Sequence, residues 1–396
     1  MSNPVAVAGV GMIPFTKPGK SESYDVMGAE AARRALADAG IGYDGVQQAY
    51  VGYVFGDSTS GQKALYHVGL SGTPVVNVNN NCSTGSSALY LARQAVESGA
   101  VDVALALGFE QMMPGAIGTA YPDRPPSLEA FEQIRDQVRG APDPGVPNAA
   151  TFFGAAGQQY VENHGIDPSV FAHITVKSRQ HAANNPYAVF RAPLTADEVL
   201  ASPHIYGPLT RYQCCPPTCG AAAAVVVSKA YAKRHGLRSD VVIAGQSLRT
   251  DTASSFDGDM MRLVGYDMAV AASKAVYEQS GIGPEDLRVL ELHDCFTTNE
   301  FITYEALGLT PPGTADKFVL SGDNTYGGRV VTNPSGGLIS KGHPLGATGL
   351  AQCAELVWQL RGQAGDRQVD DVDVALQHNL GLGGACVVTM YQKVDA

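Results

Sequence analysis

The sequence is short of charge. Asp, Glu, Lys and Arg make up 16% of its 396 residues, and there is one tryptophan. No stretch gathers five or more Lys or Arg, and the formal net charge is -11. A nucleic-acid groove or an anionic membrane surface as a main partner is therefore excluded, because both need a basic face. An anionic small molecule is not excluded, since a local basic patch or a helix N-terminus can hold one. No apolar run approaches the ~18–20 residues of a membrane span, so no membrane insertion is expected. The opening MSNPVAVAGVGMIPF lacks a basic segment and a long apolar core, and the closing YQKVDA carries no peroxisomal tripeptide or lipidation motif. A cytoplasmic protein is the expectation.

Cysteine is scarce and odd in number: Cys82, Cys214, Cys215, Cys219, Cys295, Cys353 and Cys386. Their irregular spacing in a large chain gives no disulfide framework. The CCPPTC run at 214–219 looks metal-like, but no second Cys or His pair at zinc-ligand spacing accompanies it. No metal and no redox cofactor are expected.

What is abundant is apolar residues (45%) and glycine (45 of them). That composition describes a globular chain with a large core and many tight turns. At roughly 150 residues per domain the length fits two or three folding units.

The chain also repeats itself. Val5-Ala6-Val7-Ala8-Gly9 is matched by Val241-Val242-Ile243-Ala244-Gly245. About twenty residues after each comes a helix-patterned stretch that begins Tyr-Asp (Tyr24 and Tyr266) and stops at Gly-Ile-Gly, a common helix terminator. Short apolar runs follow, AYVGYV at 49–54 and VLELHD at 289–294. The pentapeptide VDVAL then occurs at 101–105 and again at 372–376. Four matches in one order indicate duplication. Continuous apolar strands between amphipathic helices read as parallel strands covered on both faces, hence α/β layers. Two such halves packed together predict an α-β-α-β-α sandwich. The reading divides the chain into an N-terminal half (1–115), an inserted Pro- and charge-rich loop subdomain with a return to the first half (116–235), and a C-terminal half (236–396). The insertion is the expected substrate-facing wall.

Four places carry chemistry. Cys82 follows the strand-like Val75, Val76 and Val78 and three asparagines. It precedes a helix whose apolar face is read as Ala88, Leu91, Ala92 and Ala95. A helix N-terminus lowers a thiol pKa and offers free N–H groups to an oxyanion. A free cysteine is also often merely buried. His343 lies just before Pro344 and a helix face of Leu350, Cys353, Ala354 and Val357, the mirror of the Cys82 turn. His293-Asp294-Cys295-Phe296 sits at a strand end, where open α/β sheets place their sites. In the run HNLGLGGACVV from His378, Gly381, Gly383 and Gly384 permit an exposed backbone N–H.

On these residues the chain resembles the thiolase superfamily over essentially its whole length. NCSTGSSAL is similar to the nucleophile block and GHPLGATG to the catalytic histidine block. HDCF is similar to the block that marks the sterol-carrier-protein type, as are GFEQMMPG at 108–115 and NPYAVFRAPLTADEVLASP at 185–203. The resemblance implies the thiolase fold and a CoA-dependent acyltransferase that cleaves 3-ketoacyl-CoA to acyl-CoA and acetyl-CoA or propionyl-CoA, in fatty-acid or sterol side-chain degradation. It implies that Cys82 carries the acyl group, that His343 is the base, and that Cys295 exchanges the α-proton. His293 with His343, and the N–H groups of Cys82 and Gly383, would form the two oxyanion holes. Other thiolases carry a second cysteine where Gly381 stands here, so Cys295 supplies that thiol, and Cys386 reads as core. Cys219-Gly220-Ala221 stands where the family usually has Asp-Gly-Ala. CoA thioester is substrate, not bound cofactor. A homodimer is expected, with a separate lipid- or acyl-binding partner protein possible in principle. The alternatives are a condensing enzyme or aldolase of the superfamily, which the retained Cys82, His293, Cys295 and His343 disfavour, and a lipid carrier. The lipid-binding domain fused to some relatives is not expected here.

Overall fold

The structure is a computed structural model, and it describes residues 4–395 except 116, 117 and 119–121. The boundary expected after residue 115, and Tyr121 at the head of the Pro-rich stretch, fall on residues outside that description. Twelve strands run along the described chain: β1 (Val5–Met12), β2 (Gln48–Gly52), β3 (Val75–Val78), β4 (Val103–Glu110), β5 (His204–Tyr206), β6 (Leu209–Thr210), β7 (Gly220–Ser228), β8 (Val241–Arg249), β9 (Val289–Glu291), β10 (Val331–Thr332), β11 (Val374–Gly381) and β12 (Ala385–Lys393). β5 and β6 pair with each other, and the other ten follow the order β10-β9-β11-β12-β8-β1-β7-β4-β2-β3.

Counted outward from the middle, the two halves have the same order: β1-β7-β4-β2-β3 and β8-β12-β11-β9-β10. They join at one residue pair, Ala6 opposite Val242. The four sequence matches fall on equivalent elements. VAVAG lies on β1 and VVIAG on β8, AYVGYV on β2 and VLELHD on β9, and each VDVAL runs into β4 or β11. The paired helices Tyr24–Ala39 and Tyr266–Ser280 end at left-handed glycines, Gly40 (φ 70°) and Gly281 (φ 69°).

The sheets are not all-parallel as the apolar runs suggested. In each half the outer pairings are parallel, and the two nearest the middle are antiparallel. A continuous apolar run records burial on both faces, not strand direction. β1, β4 and β7 are buried along their whole length. The Tyr24–Ala39 helix covers the outer face of the first half and the Tyr266–Ser280 helix that of the second, while helices Thr84–Glu97 and Leu345–Leu360 lie between the halves. The result is the five-layer sandwich. Each fully buried Val or Leu in these layers contributes about 1.5–3 kcal/mol of transfer free energy.

The two central helices are what the site depends on. Leu350, Cys353, Ala354 and Val357 are all fully buried. On the Thr84–Glu97 helix, Ala88, Leu89, Ala92, Ala95 and Val96 are buried, whereas Leu91 is only half-buried. The buried arc is turned from the one read in the sequence because this helix packs on both β4 and its partner helix. The helices meet backbone to backbone. A Cβ on Gly349 would lie 2.4 Å from Ser86 N, and one on Gly85 2.6 Å from Gly346 O. Only glycine allows that approach.

The segment read as an inserted loop subdomain carries helices: Glu129–Arg139, Asn148–His164, Val170–Ala182 and Ala196–Leu200 precede the return through β7. Flanking prolines and charges hid these helices. They are held by Phe131, Phe152, Phe153, Tyr160 and Phe171, which join the core cluster that contains Leu290, Leu292 and Phe296 of the second half. Among the described residues no helix is long and apolar enough to cross a membrane.

Candidate active site

Cys82 is presented by a strained turn. Asn81 takes a left-handed conformation (φ 51°), which asparagine tolerates better than most residues. The Thr84 hydroxyl accepts from Asn80 N at 2.8 Å and donates to Asn81 O at 2.6 Å, closing the turn at the helix start. The Asn81 amide donates to Leu382 O at 2.9 Å and ties the turn to the β11–β12 hairpin. The three asparagines are thus turn chemistry. Cys82 keeps some exposed surface, while its neighbours Ser83, Thr84 and Ser86 are buried.

His343 leaves the turn Gly337–Lys341, and its backbone N–H donates to Thr218 Oγ1 at 2.7 Å. Its Nδ1 lies 2.7 Å from Thr348 Oγ1. That hydroxyl already donates to Pro344 O, so it accepts from His343. With the hydroxyl proton on Pro344 O, the proton of a neutral His343 is assigned to Nδ1. Nε2 is left with a lone pair and meets no hydrogen-bond partner among the described residues.

His293 and His343 stack edge to face, with ring centroids 5.1 Å apart. Cys82 Sγ and ring nitrogens of His293 and His343 all lie within 4.8 Å of one another. Three residues drawn from different parts of the chain thus converge on one point. A thiol and two imidazoles are also a donor set a soft metal ion could take. Among the described residues the CCPPTC run forms no such cluster. Cys214 and Cys215 pair with the backbone of Phe296 and Cys295, and Cys219 is buried with its thiol on Met112 O.

The electrostatics correct one expectation. A helix N-terminus was expected to lower the Cys82 pKa. Instead burial, with the Glu110 charge adding to it, pushes the thiol up to about 12. Burial, with Lys341 nearby, holds His343 down at about 3. Burial, with His343 and His378 adding, keeps His293 well below its ordinary range. The resting site is a neutral thiol beside two neutral imidazoles, and helix dipoles do not outweigh desolvation here.

Cys295 is buried, and its carbonyl accepts from Cys215 N at 2.9 Å. Burial, with Cys215 and Cys82 close by, pushes its thiol well above the usual range. Asp294 is buried, and its charge also bears on the Cys215 and Cys295 thiols. Its carboxylate accepts from Leu338 N at 2.7 Å and so holds the turn that leads to His343. Gly383 is exposed at φ 97° in the hairpin that Asn81 grips. Glu110, at the end of β4, accepts from Gly346 N at 2.9 Å and fastens the start of the His343 helix to the first sheet.

The sequence reading missed three residues: Thr348, Thr218 and Asn379. Asn379 follows the singled-out His378, is fully buried, and donates to both Cys82 O (3.2 Å) and His293 Nδ1 (3.0 Å). Its only signal was its place beside a glycine-rich turn.

A duplicated five-layer sandwich that closes a cysteine and two histidines together defines a class. The chain belongs to the thiolase family, matching the thiolase N-terminal domain over residues 5–230 and the thiolase C-terminal domain-like region over 251–391. Within it the chain is similar to sterol carrier protein 2 of Rattus norvegicus, 53% identical over 393 residues, 98% of this chain and 72% of that protein. It is also similar to the benzoylsuccinyl-CoA thiolase subunit BbsB of Thauera aromatica, 38% identical over 384 residues, 96% of this chain and 95% of that protein. Among solved structures, the Ltp2-ChsH2(DUF35) aldolase shares the fold, with a TM-score of 0.84 at 24% identity over 98% of both chains.

Proposed function

We propose that this chain is a thiolase that cleaves 3-ketoacyl-CoA with CoA, giving a shortened acyl-CoA and acetyl-CoA or propionyl-CoA, as fatty-acid or sterol side-chain degradation requires. The observation that carries the reading is the convergence of Cys82, His293 and His343 within 4.8 Å.

In this reading the Cys82 thiol attacks the keto carbon as its proton passes to His343 Nε2. That transfer turns His343 into a donor, while the N–H groups of Cys82 and Gly383 would meet the developing oxyanion. The bond between the α-carbon and the former keto carbon breaks. Its electron pair forms the enolate of the departing thioester, whose oxygen His293 and His343 would hold. Cys295 gives its proton to the α-carbon, and acetyl-CoA or propionyl-CoA leaves with the shortened acyl group still on Cys82. The proton on His343 returns to the Cys295 thiolate. His343 then takes the proton of an incoming CoA thiol, CoA attacks acyl-Cys82, and the Cys82 thiolate leaves and recovers that proton. Desolvation supports this scheme: thiol and imidazole stay neutral until the substrate arrives, so no charge is stored in the buried site. CoA acts as substrate, and no step calls for a resident metal or redox cofactor.

The test is to mix the protein, free CoA and ketoacyl-CoA of several chain lengths and follow the ketoacyl absorbance and the mass of Cys82. Loss of substrate with acylation at Cys82 is expected. No turnover at any chain length, or full turnover in Cys82→Ala, would reject the reading. The rat relative's name favours a second reading, lipid carriage. Movement of lipid between vesicles with Cys82 never acylated would favour that instead. We further propose a homodimer, supported by the edge strand β3, on which Val76 is exposed. Sedimentation at the monomer mass would reject it.

A further inference from the structure

Asn379 stands at the end of a buried hydrogen-bond chain whose direction is forced. The Tyr391 hydroxyl donates to Gln377 Oε1 at 2.5 Å. Gln377 Nε2 then donates to Gly349 O at 2.7 Å and to Ser86 Oγ at 2.8 Å. Gly349 O is a carbonyl and can only accept, so the Gln377 amide cannot turn round. Ser86, having accepted, donates its own proton to Asn379 Oδ1 at 2.7 Å. The other side of the Asn379 amide faces Cys82 O, another carbonyl that can only accept. Both ends of that amide are thus assigned by chemistry: Nδ2 points to Cys82 O and to His293 Nδ1. Tyr391, Gln377, Ser86 and Asn379 are all fully buried, so water does not compete for these bonds.

An amide nitrogen only donates, so His293 Nδ1 must accept from it. A neutral His293 then carries its proton on Nε2. We propose that Asn379 is a positioning residue that locks His293 in the Nε2–H form, so that its ring offers a donor to the thioester oxygen. The two histidines are thereby given opposite tasks by opposite second partners. Thr348 accepts from His343 Nδ1 and leaves Nε2 as a base, while Asn379 donates to His293 Nδ1 and leaves Nε2–H as a donor. The lock also leaves the Cys82, His293 and His343 cluster with only two free lone-pair donors, which opposes capture of a soft metal. The catalytic consequence rests on the thiolase reading above; the tautomer does not.

The experiment reads the tautomer directly, by long-range proton–nitrogen correlation on the full chain labelled with 15N-histidine. The His293 signals are assigned by their loss in His293→Gln. Wild type is expected to show a protonated Nε2 and a bare Nδ1. Asn379→Asp presents a carboxylate, which accepts, and is expected to move the proton to Nδ1. In thiolysis the same variant should lose about 10²-fold in kcat, the cost of one oxyanion donor, with KM nearly unchanged. Asn379→Ala, which buries no new charge, should show a mixture of both tautomers. A wild-type His293 protonated on Nδ1, or an Asn379→Ala protein with the wild-type tautomer and kcat, overturns the proposal. A wild-type protein without thiolase activity but with the expected tautomer overturns only the function reading.

Discussion

Thr348 Oγ1 lies 2.7 Å from Nδ1 of His343 and donates its own proton to Pro344 O, one turn back along the same helix. This pair decides which nitrogen of His343 is free to act. Thr348→Val keeps the shape and removes the acceptor. It should lower kcat by about 10²-fold, within the range a positioned base contributes. Thr348→Ser, which retains the hydroxyl, should stay within a few-fold of wild type. Steady-state thiolysis of both variants checks this, and equal rates in the two would contradict it.

The neutral resting state of Cys82 is open to chemical test. Its thiol is pushed up to about 12 by burial and by Glu110. The thiolate is the reacting form, so its fraction rises with pH until the pKa is passed. Alkylation of Cys82 by iodoacetamide, followed by peptide mass spectrometry, should therefore quicken by roughly tenfold per pH unit and still be rising at about pH 9. A plateau near neutrality would mean a preformed thiolate–imidazolium pair.

Gly349→Ala tests the contact that brings the two halves of the site together. The new methyl would lie 2.1 Å from Ser86 Oγ and 2.4 Å from Ser86 N. The helices must move apart, and overpacking of this kind costs about 1–3 kcal/mol. The denaturant midpoint should fall accordingly. Activity should fall further than stability explains, because Cys82 and His343 sit at the openings of these two helices. A variant with wild-type midpoint and rate would show that the close approach is dispensable.

Cys295 can be separated from Cys82 by half-reactions. Acyl exchange between acetyl-CoA and Cys82 breaks no carbon–carbon bond and moves no α-proton. Cys295→Ala should still accept an acetyl group on Cys82, seen as added mass, and should lose about 10²-fold or more in ketoacyl cleavage, the contribution of a proton-transfer group. Cys215 lies beside it, its N–H on Cys295 O at 2.9 Å. Any residual cleavage is expected to vanish in the Cys215→Ala/Cys295→Ala double variant. Loss of both half-reactions together would argue that Cys295 is structural.

Much of this protein follows from local pattern. The duplicated order of VAVAG, the Tyr-Asp helix and VDVAL was legible because buried strands and helix terminators need particular residues wherever they fall. So were the Cys82 and His343 turns, which need small residues and a helix opening at fixed offsets, and the HDCF run at a strand end. The tertiary structure decided the rest. Strand direction within each half depends on which strand arrives beside which, and a fully covered strand looks the same either way. The helices of 129–200 read as loop because their anchors, such as Phe152 and Phe171, bury against a distant half. The rise in the Cys82 pKa comes from desolvation by elements that pack over it, which no local motif reports. The choice of proton on each histidine rests on partners brought in by the fold, with Asn379 meeting Ser86 across 293 residues of chain. Sequence supplied the reactive groups; the packing of the two halves determines which nitrogen accepts and which donates.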